Sequence, residues 1–284
     1  MNRQGRAFAL TMVFMLAFAL AYVFIFAGSA TLTLGDNEII VAFLDVGQGD
    51  SILILSRDSA VLIDGGDANQ GSTVLEYLRQ AGISRLDYVV ATHPHSDHIG
   101  GLIPVLNRVE VGRVLMPDIV HTTNTFENFL GVIESNHIPA TAPAVGERFS
   151  AGIIEFTVLA PVAGFAGSNL NDASIVLRLD HGYTSFLFTG DAETGSESRM
   201  LAQDLQADVL KIGHHGSRTS TSEAFLSRVN PSVAVISVGR DNRFGHPHRE
   251  VLERLADRGI HVLRTDEMGT IIMATDGEQI VVFP

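Results

Sequence analysis

A chain of 284 residues, 46% of them hydrophobic and 18% charged, is long enough to bury a full core, and its composition excludes a disordered or low-complexity protein. The absence of cysteine excludes disulfides, thiolate metal ligands and cysteine nucleophiles. A formal charge of −13 repels phosphate backbones at long range and argues against tight binding of duplex nucleic acid.

The first element is an uncharged run from Ala7 to Ala27, preceded by Arg3 and Arg6. Its length suits a bilayer-spanning helix, and the leading positive charge predicts a cytoplasmic N-terminus with the globular part outside. A cleaved signal peptide competes, since Ala27-Gly28-Ser29-Ala30 offers small residues for cleavage. The apolar core of such peptides is usually about 7–15 residues, so an uncleaved anchor is the favoured reading. Residues 1–30 are thus assigned to an anchor or signal segment, 31–38 to a linker and 39–284 to the globular domain.

Strands are expected at Ile39–Asp45, Ser51–Ser56 and Ala60–Asp64, separated by the turn Val46-Gly47-Gln48-Gly49-Asp50. Val74, Leu75, Tyr77 and Leu78 have helical spacing, with Gly82 as the stop. Strand Leu86–Ala91 leads into Thr92–Gly101, after which Ile99–Val105 and Phe126–Ile133 read as helices around a short strand at Arg113–Met116. In the second half, strands are expected at Ile153–Leu159, Ser174–Leu179, Thr184–Thr189, Asp208–Ile212 and Val233–Val238. Helices are expected near Glu193–Leu205, Ser222–Arg228 and Arg249–Arg258, and the last strands lie near Val262, Thr270–Met273 and Ile280–Phe283. Two sheets, each covered by helices on one face, account for this order.

The stretch His93-Pro94-His95-Ser96-Asp97-His98 holds three imidazoles and a carboxylate. Extended backbone sends alternate side chains to one face, so His93, His95 and Asp97 are expected to converge, and Pro94 opposes a helix there. Imidazole nitrogen and carboxylate oxygen suit zinc or a similar divalent ion. Other polar groups also follow apolar strands: Asp45, Asp64, Asp191, His214, His215, His246 and His248. Each has a plainer use. Asp191 suits a helix N-cap, His214-His215 a polar turn, and His246 and His248 a surface loop leading into a helix. Beside a metal loop the balance shifts for Asp191, while for His246 and His248 it stays even. Adjacent histidines point apart, so one of His214 and His215 is expected on metal and the other toward substrate, while Asp64 suits a hydrogen bond that orients a ligating histidine.

Together these residues resemble a known family. His93-x-His95-x-Asp97-His98 with Gly100-Gly101 is similar to the signature of the metallo-β-lactamase fold. Phe43-Leu44-Asp45-Val46-Gly47-Gln48-Gly49-Asp50-Ser51, Leu62-Ile63-Asp64-Gly65-Gly66, Thr189-Gly190-Asp191, Lys211 to Ser217 and Gly245-His246-Pro247-His248 resemble the C-terminal hydrolase domain of ComEC-type competence proteins. The likeness covers about residues 39–284. It implies an α/β fold, a four-layer αββα sandwich, with the site at the shared edge of two sheets. It also implies two divalent ions, zinc with manganese as the alternative. His93 and His95 would hold one, Asp97, His98 and His215 the other, with Asp191 between them.

The resemblance has two departures. Where the wider fold often has a further histidine, this chain has Ser168-Asn169-Leu170-Asn171-Asp172, which leaves Asn171, Asp172 or a water to contribute an oxygen. A full competence protein has many membrane helices and this chain has one candidate span, so DNA import by this polypeptide alone is not expected. The expected activity is metal-dependent hydrolysis of a phosphodiester, single-stranded DNA or a small nucleotide. Asp97 would orient the water, while His214 and His248 contact substrate or protonate the leaving group. The rivals are a non-catalytic, membrane-tethered accessory module for DNA-uptake or envelope partners, and a lactonase or β-lactam hydrolase on the same site.

Overall fold

The computed structural model describes residues 34–161 and 169–283. The segment expected to anchor the chain, Ala7–Ala27, lies outside them. Among the described residues no helix is long and apolar enough to cross a membrane.

Two mixed sheets face one another. The first has the order β15-β14-β1-β2-β3-β4-β5-β6, where β1 is Ile39–Phe43, β2 Ile52–Leu55, β3 Ala60–Ile63, β4 Arg85–Val90, β5 Glu110–Leu115, β6 Ala140–Thr141, β14 Ile271–Thr275 and β15 Ile280–Phe283. The second has the order β13-β12-β11-β10-β9-β8-β7, from β7 Arg148–Ala151, β8 Ile154–Ala160, β9 Val176–His181, β10 Thr184–Phe188, β11 Val209–Lys211, β12 Val233–Ile236 and β13 His261–Arg264. Each sheet is antiparallel in one half and parallel in the other. In the first, β3, β4, β5 and β6 run parallel; in the second, β10, β11, β12 and β13 do.

Parallel neighbours need crossovers, and helices supply them. In the first sheet these are α1 (Gly71–Gln80), α2 (Ser96–Ile99), α3 (Leu102–Leu106) and α4 (Asn124–Ser135). In the second they are α5 (Thr194–Met200), α6 (Glu223–Val229) and α7 (Arg249–Asp257), and α8 (Thr265–Met268) links the second sheet back to the first.

Strand alternation builds the layers. Ile39, Val41 and Phe43 join the core between the sheets, where the Phe43 and Phe188 rings lie 6.2 Å apart. Ile40, Ala42 and Leu44 turn to the other face and pack with Val74, Leu78, Leu102 and Phe129 from the helices. On the far sheet Leu187, Leu210 and Ala234 pack with Met200, Phe225 and Leu255. The result is the αββα arrangement. Strands buried on both faces explain why the sequence shows continuous apolar runs there.

Several expected elements change shape. Ile99–Val105 is two short helices, broken at Gly100-Gly101, where an added Cβ on Gly101 would overlap the Gly65 carbonyl oxygen. The helix expected to reach Leu205 ends at Met200 because tertiary contacts override propensity: Gln203 donates to the Leu159 carbonyl and Leu205 enters the core. The pattern of β7 is half polar because it is an edge strand, so it gives little signal. The extended reading of the histidine loop also needs correction. β4 ends at Val90, His95 is the last extended residue, and Asp97 and His98 lie in the first turn of α2.

Candidate metal centre

The C-terminal ends of parallel strands from both sheets meet at one edge, the usual place for a site in such sheets. Asp64 follows β3, the loop from His93 to His98 follows β4, Asp191 follows β10, and His214 and His215 follow β11. Asp50 enters from the turn before β2, beside the end of β3.

His98 is aimed by Asp64. The Asp64 carboxylate accepts from Thr92 N at 2.8 Å and Thr92 Oγ1 at 2.7 Å, and bonds His98 Nδ1 at 2.8 Å. Burial pushes the Asp64 pKa up, and the charge and hydrogen bond of His98 offset this only in part. With Nδ1 occupied, His98 Nε2 points inward, 3.2 Å from Asp191 Oδ2. His215 is held the same way: its Nδ1 donates to the Ser237 carbonyl at 2.9 Å, leaving Nε2 3.5 Å from both Asp97 Oδ2 and Asp191 Oδ1. On the other side, His93 Nε2 lies 3.0 Å from His95 Nδ1 and 3.7 Å from Asp191 Oδ2.

These donors fit metal ions. His98 Nε2, His215 Nε2 and Asp191 Oδ1 are buried and have no hydrogen-bond partner among the described residues. Buried polar atoms are rarely left so. Bonds of 2.0–2.1 Å to a tetrahedral ion place ligand atoms about 3.4 Å apart, close to the spacings around His98, His215 and Asp191. Combinations of donor atoms that lie within 4.8 Å of one another include His93, His98 and Asp191, and also Asp97, His98 and His215.

Metal-free electrostatics follow from burial against charge. Burial lowers His93 and His95, reinforced by the charge on His98, so both are poised as neutral ligands. Burial also acts to lower His98 and His215, but Asp191 and the neighbouring carboxylates outweigh it. They hold His98 well above the ordinary value and push His215 up to about 9. Burial acts to raise Asp191, and the charges on His215 and His98 overcome it, holding the carboxyl well below its usual range. Asp97 is depressed likewise against burial, by the neighbouring His215 ring and the charge on His98.

His214 faces the open side. Its side chain is 25% exposed, Nδ1 bonds Glu193 Oε1 at 2.7 Å, and Nε2 lies 3.8 Å from Asp191 Oδ2. Both His214 and His215 have left-handed backbone, with φ of 46° and 53°, which β-carbon-bearing residues adopt at a cost. That pair of conformations sends one ring inward and one toward the cleft.

Some expected site residues lie elsewhere. His248 does not reach the centre, because its Nδ1 accepts from Arg218 N and its ring contacts His246. It is His246 whose ring contacts His214 and His215, at 5.4 and 6.4 Å. Asp45 is exposed, and among the described residues its carboxylate accepts only from Gly47 N. Asp172 caps α5, where its Oδ1 accepts from Glu193 N and Ser196 N. Asn171 lies beside the centre: Nδ2 donates to Glu193 Oε1, and its buried Oδ1 has no partner among the described residues.

Sequence reasoning missed Asp50, Lys211 and Glu193 as parts of the centre, and singled out His246 without giving it a role there. Asp50 is 1% exposed, ion-pairs with the fully buried Lys211 Nζ, and has Oδ1 3.4 Å from His215 Nδ1. For Lys211 a usable signal existed, since it closes the short buried strand β11, where no water remains to solvate its charge.

An αββα sandwich with a His/Asp donor cluster at the shared sheet edge defines a class of metal-dependent hydrolases. The profile of the Metallo-beta-lactamase superfamily matches residues 44–240, and the chain belongs to that superfamily. It is 34% identical over 251 residues to ComE operon protein 3 of Bacillus subtilis (strain 168), covering 81% of this chain and 32% of that protein. It is 32% identical over 242 residues to Competence protein ComA of Neisseria gonorrhoeae, covering 83% and 32%. The chain thus spans about a third of the length of these curated relatives, and the match is to the ComEC-type hydrolase domain. Among solved structures, the metallo-beta-lactamase fold protein YhfI from Bacillus subtilis shares the fold, with a TM-score of 0.59, 15% identity, and coverage of 84% of this chain and 100% of that one.

Proposed function

We propose that the chain is a phosphodiesterase working with two divalent ions. The observation that carries this reading is Asp191, whose oxygens face two donor clusters: Oδ2 lies 3.7 Å from His93 Nε2 and Oδ1 lies 3.5 Å from His215 Nε2. His93, His95 and Asp191 would hold one ion, and Asp97, His98, His215 and Asp191 the other. Zinc suits these donors, with manganese as the alternative. When bound, a pair of ions polarises an ester oxygen, stabilises both the attacking and the leaving oxygen, and lowers the pKa of water to about 7.

The chain's own groups do the rest. Asp97, partly open to the cleft, accepts a hydrogen bond from the incoming water and orients it. His214, fixed at Nδ1 by Glu193, turns Nε2 toward the cleft, where it protonates the departing oxygen. Asp64 and Ser237 set the rings of His98 and His215. A net charge of −13 favours a small nucleotide or a locally exposed single strand over long duplex DNA. A hydrolase domain spanning 39–284, held outside the cytoplasm by residues 7–27, completes the reading. Protease accessibility in intact and permeabilised cells tests that placement, and digestion only after permeabilisation of the cytoplasmic membrane would overturn it.

The activity is tested on the full chain in detergent, loaded with zinc or manganese. Bis(p-nitrophenyl) phosphate, a lactone and a β-lactam are offered side by side. Metal-dependent turnover of the phosphodiester, lost in Asp97→Ala and His98→Ala, is expected. Turnover of a carbonyl substrate alone would replace this reading with a lactonase or β-lactam hydrolase.

A further inference from the structure

Beside the metal centre, residues 239–248 form a loop that hydrolysis itself does not use. We infer that Phe244 in this loop is a stacking platform for a nucleobase of the substrate, and that Arg243 receives the adjoining phosphate. This rests on the phosphodiesterase reading and narrows it to nucleotide esters.

Phe244 is 48% exposed, and single exposed apolar side chains need no explanation by themselves. This ring, however, is held in place. It stacks on His246 with centroids 5.6 Å apart and planes at 23°, and the Arg243 guanidinium lies 4.9 Å from its centroid. His246 in turn contacts His214 at 5.4 Å, so two ring contacts lead from solvent to the residue facing Asp191.

The loop backbone is built to present that ring. The Asn242 amide bonds four groups: Nδ2 donates to the Gly239 and His246 carbonyls, and Oδ1 accepts from Phe244 N and His246 N. Asp241 and Gly245 take positive φ values of 56° and 72° on either side. The loop is thus pinned through one side chain while its aromatic tip remains in water. Arg243 is exposed, and its contact with Phe244 is its one interaction among the described residues. In a chain of net charge −13, an exposed cation over a half-exposed aromatic ring suits a ligand that pairs an anionic group with a flat π-system. A nucleotide has both.

The chain contains no tryptophan, so Phe244→Trp installs a single fluorescent reporter at this position. The full chain in detergent, loaded with zinc, is titrated with a short phosphorothioate oligothymidine and with an abasic phosphorothioate of equal length. Quenching by the thymidine strand is expected, with about tenfold tighter binding than the abasic strand, from the usual strength of base–aromatic stacking. As a second variant, Phe244→Ala should raise KM for oligothymidine cleavage about tenfold with kcat little changed. Equal affinity for the two strands, or an unchanged KM in Phe244→Ala, overturns the platform. Turnover of bis(p-nitrophenyl) phosphate by the parent separates the two readings. If the parent turns it over without base-dependent binding, only the platform fails. If base-dependent quenching occurs without hydrolysis of any phosphodiester, only the phosphodiesterase reading fails.

Discussion

Lys211 Nζ and the Asp50 carboxylate form a fully buried ion pair that joins the two sheets at the metal centre. Lys211 ends β11 of one sheet and also donates to the Gly190 carbonyl at 2.9 Å, next to Asp191; Asp50 enters from the first sheet. Burial acts to raise the Asp50 pKa, and the lysine charge overcomes it, so the carboxylate stays ionised without water. Lys211→Met strands that charge and should cost about 3–5 kcal/mol in denaturant unfolding of the full chain. The double variant Asp50→Asn, Lys211→Met should lose less than the sum of the single losses. Additive losses would mean that the two residues act separately.

Asp64 should control metal affinity while touching no metal. Its carboxylate bonds His98 Nδ1 and two Thr92 donors, and so fixes which way the His98 ring faces. Asp64→Ala should weaken binding at the site holding His98 about 10–100-fold, measured by competition with a zinc chelator. Loss of zinc from both sites in equal measure would point instead to general unfolding.

The legible part of the centre is the part whose donors are close in sequence or flanked by glycine. His93, His95, Asp97 and His98 lie within six positions, and His214 and His215 sit between Gly213 and Gly216. Sheet and helix order were legible because two-sided burial writes continuous apolar runs into the strands. Asp50 was not, because it closes a glycine turn and looks like a turn residue; its burial against Lys211, His98 and His215 comes from tertiary packing. Glu193 looks like an ordinary acid at a helix start, yet the backbone turn after Asp191 places it on His214. His246 and His248 are equivalent in spacing, and only the course of the chain into α7 decides which one meets the centre.

The metal-free protein should lose stability as pH rises from about 6.5 toward about 9. His98 and His215 have folded pKa values raised above the unfolded value of 6.5, the latter to about 9. A raised folded pKa stabilises fully below the unfolded value, and that stabilisation disappears as pH climbs through the folded one. Each unit of displacement corresponds to about 1.4 kcal/mol. Metal binding requires both rings to release their protons, so affinity should rise across the same interval. Thermal melts of chelator-treated protein, with proton release followed by an indicator dye during zinc addition, check both. A metal-free melting temperature that stays level or rises over this range would remove these histidines as proton carriers.

His214 as the acid that protonates the leaving oxygen makes a prediction that depends on the ester. A ribose or deoxyribose alkoxide needs a proton to depart, whereas p-nitrophenolate leaves without one. His214→Ala should therefore lower kcat for a thymidine dinucleotide about 10²–10⁴-fold and for bis(p-nitrophenyl) phosphate far less. Glu193 holds His214 Nδ1 at 2.7 Å, and its own pKa is lowered to about 2: burial acts to raise it, and bonds from His214, Thr219, Asn171 and Asn169 prevail. Glu193→Gln keeps the shape but weakens that hold, so it should show the same ester dependence with a smaller loss. Zinc content should match the parent in both variants, because His214 is outside the donor set assigned to the ions. Equal losses on the two esters, or loss of zinc in His214→Ala, would make His214 a ligand or a structural residue instead of the proton donor.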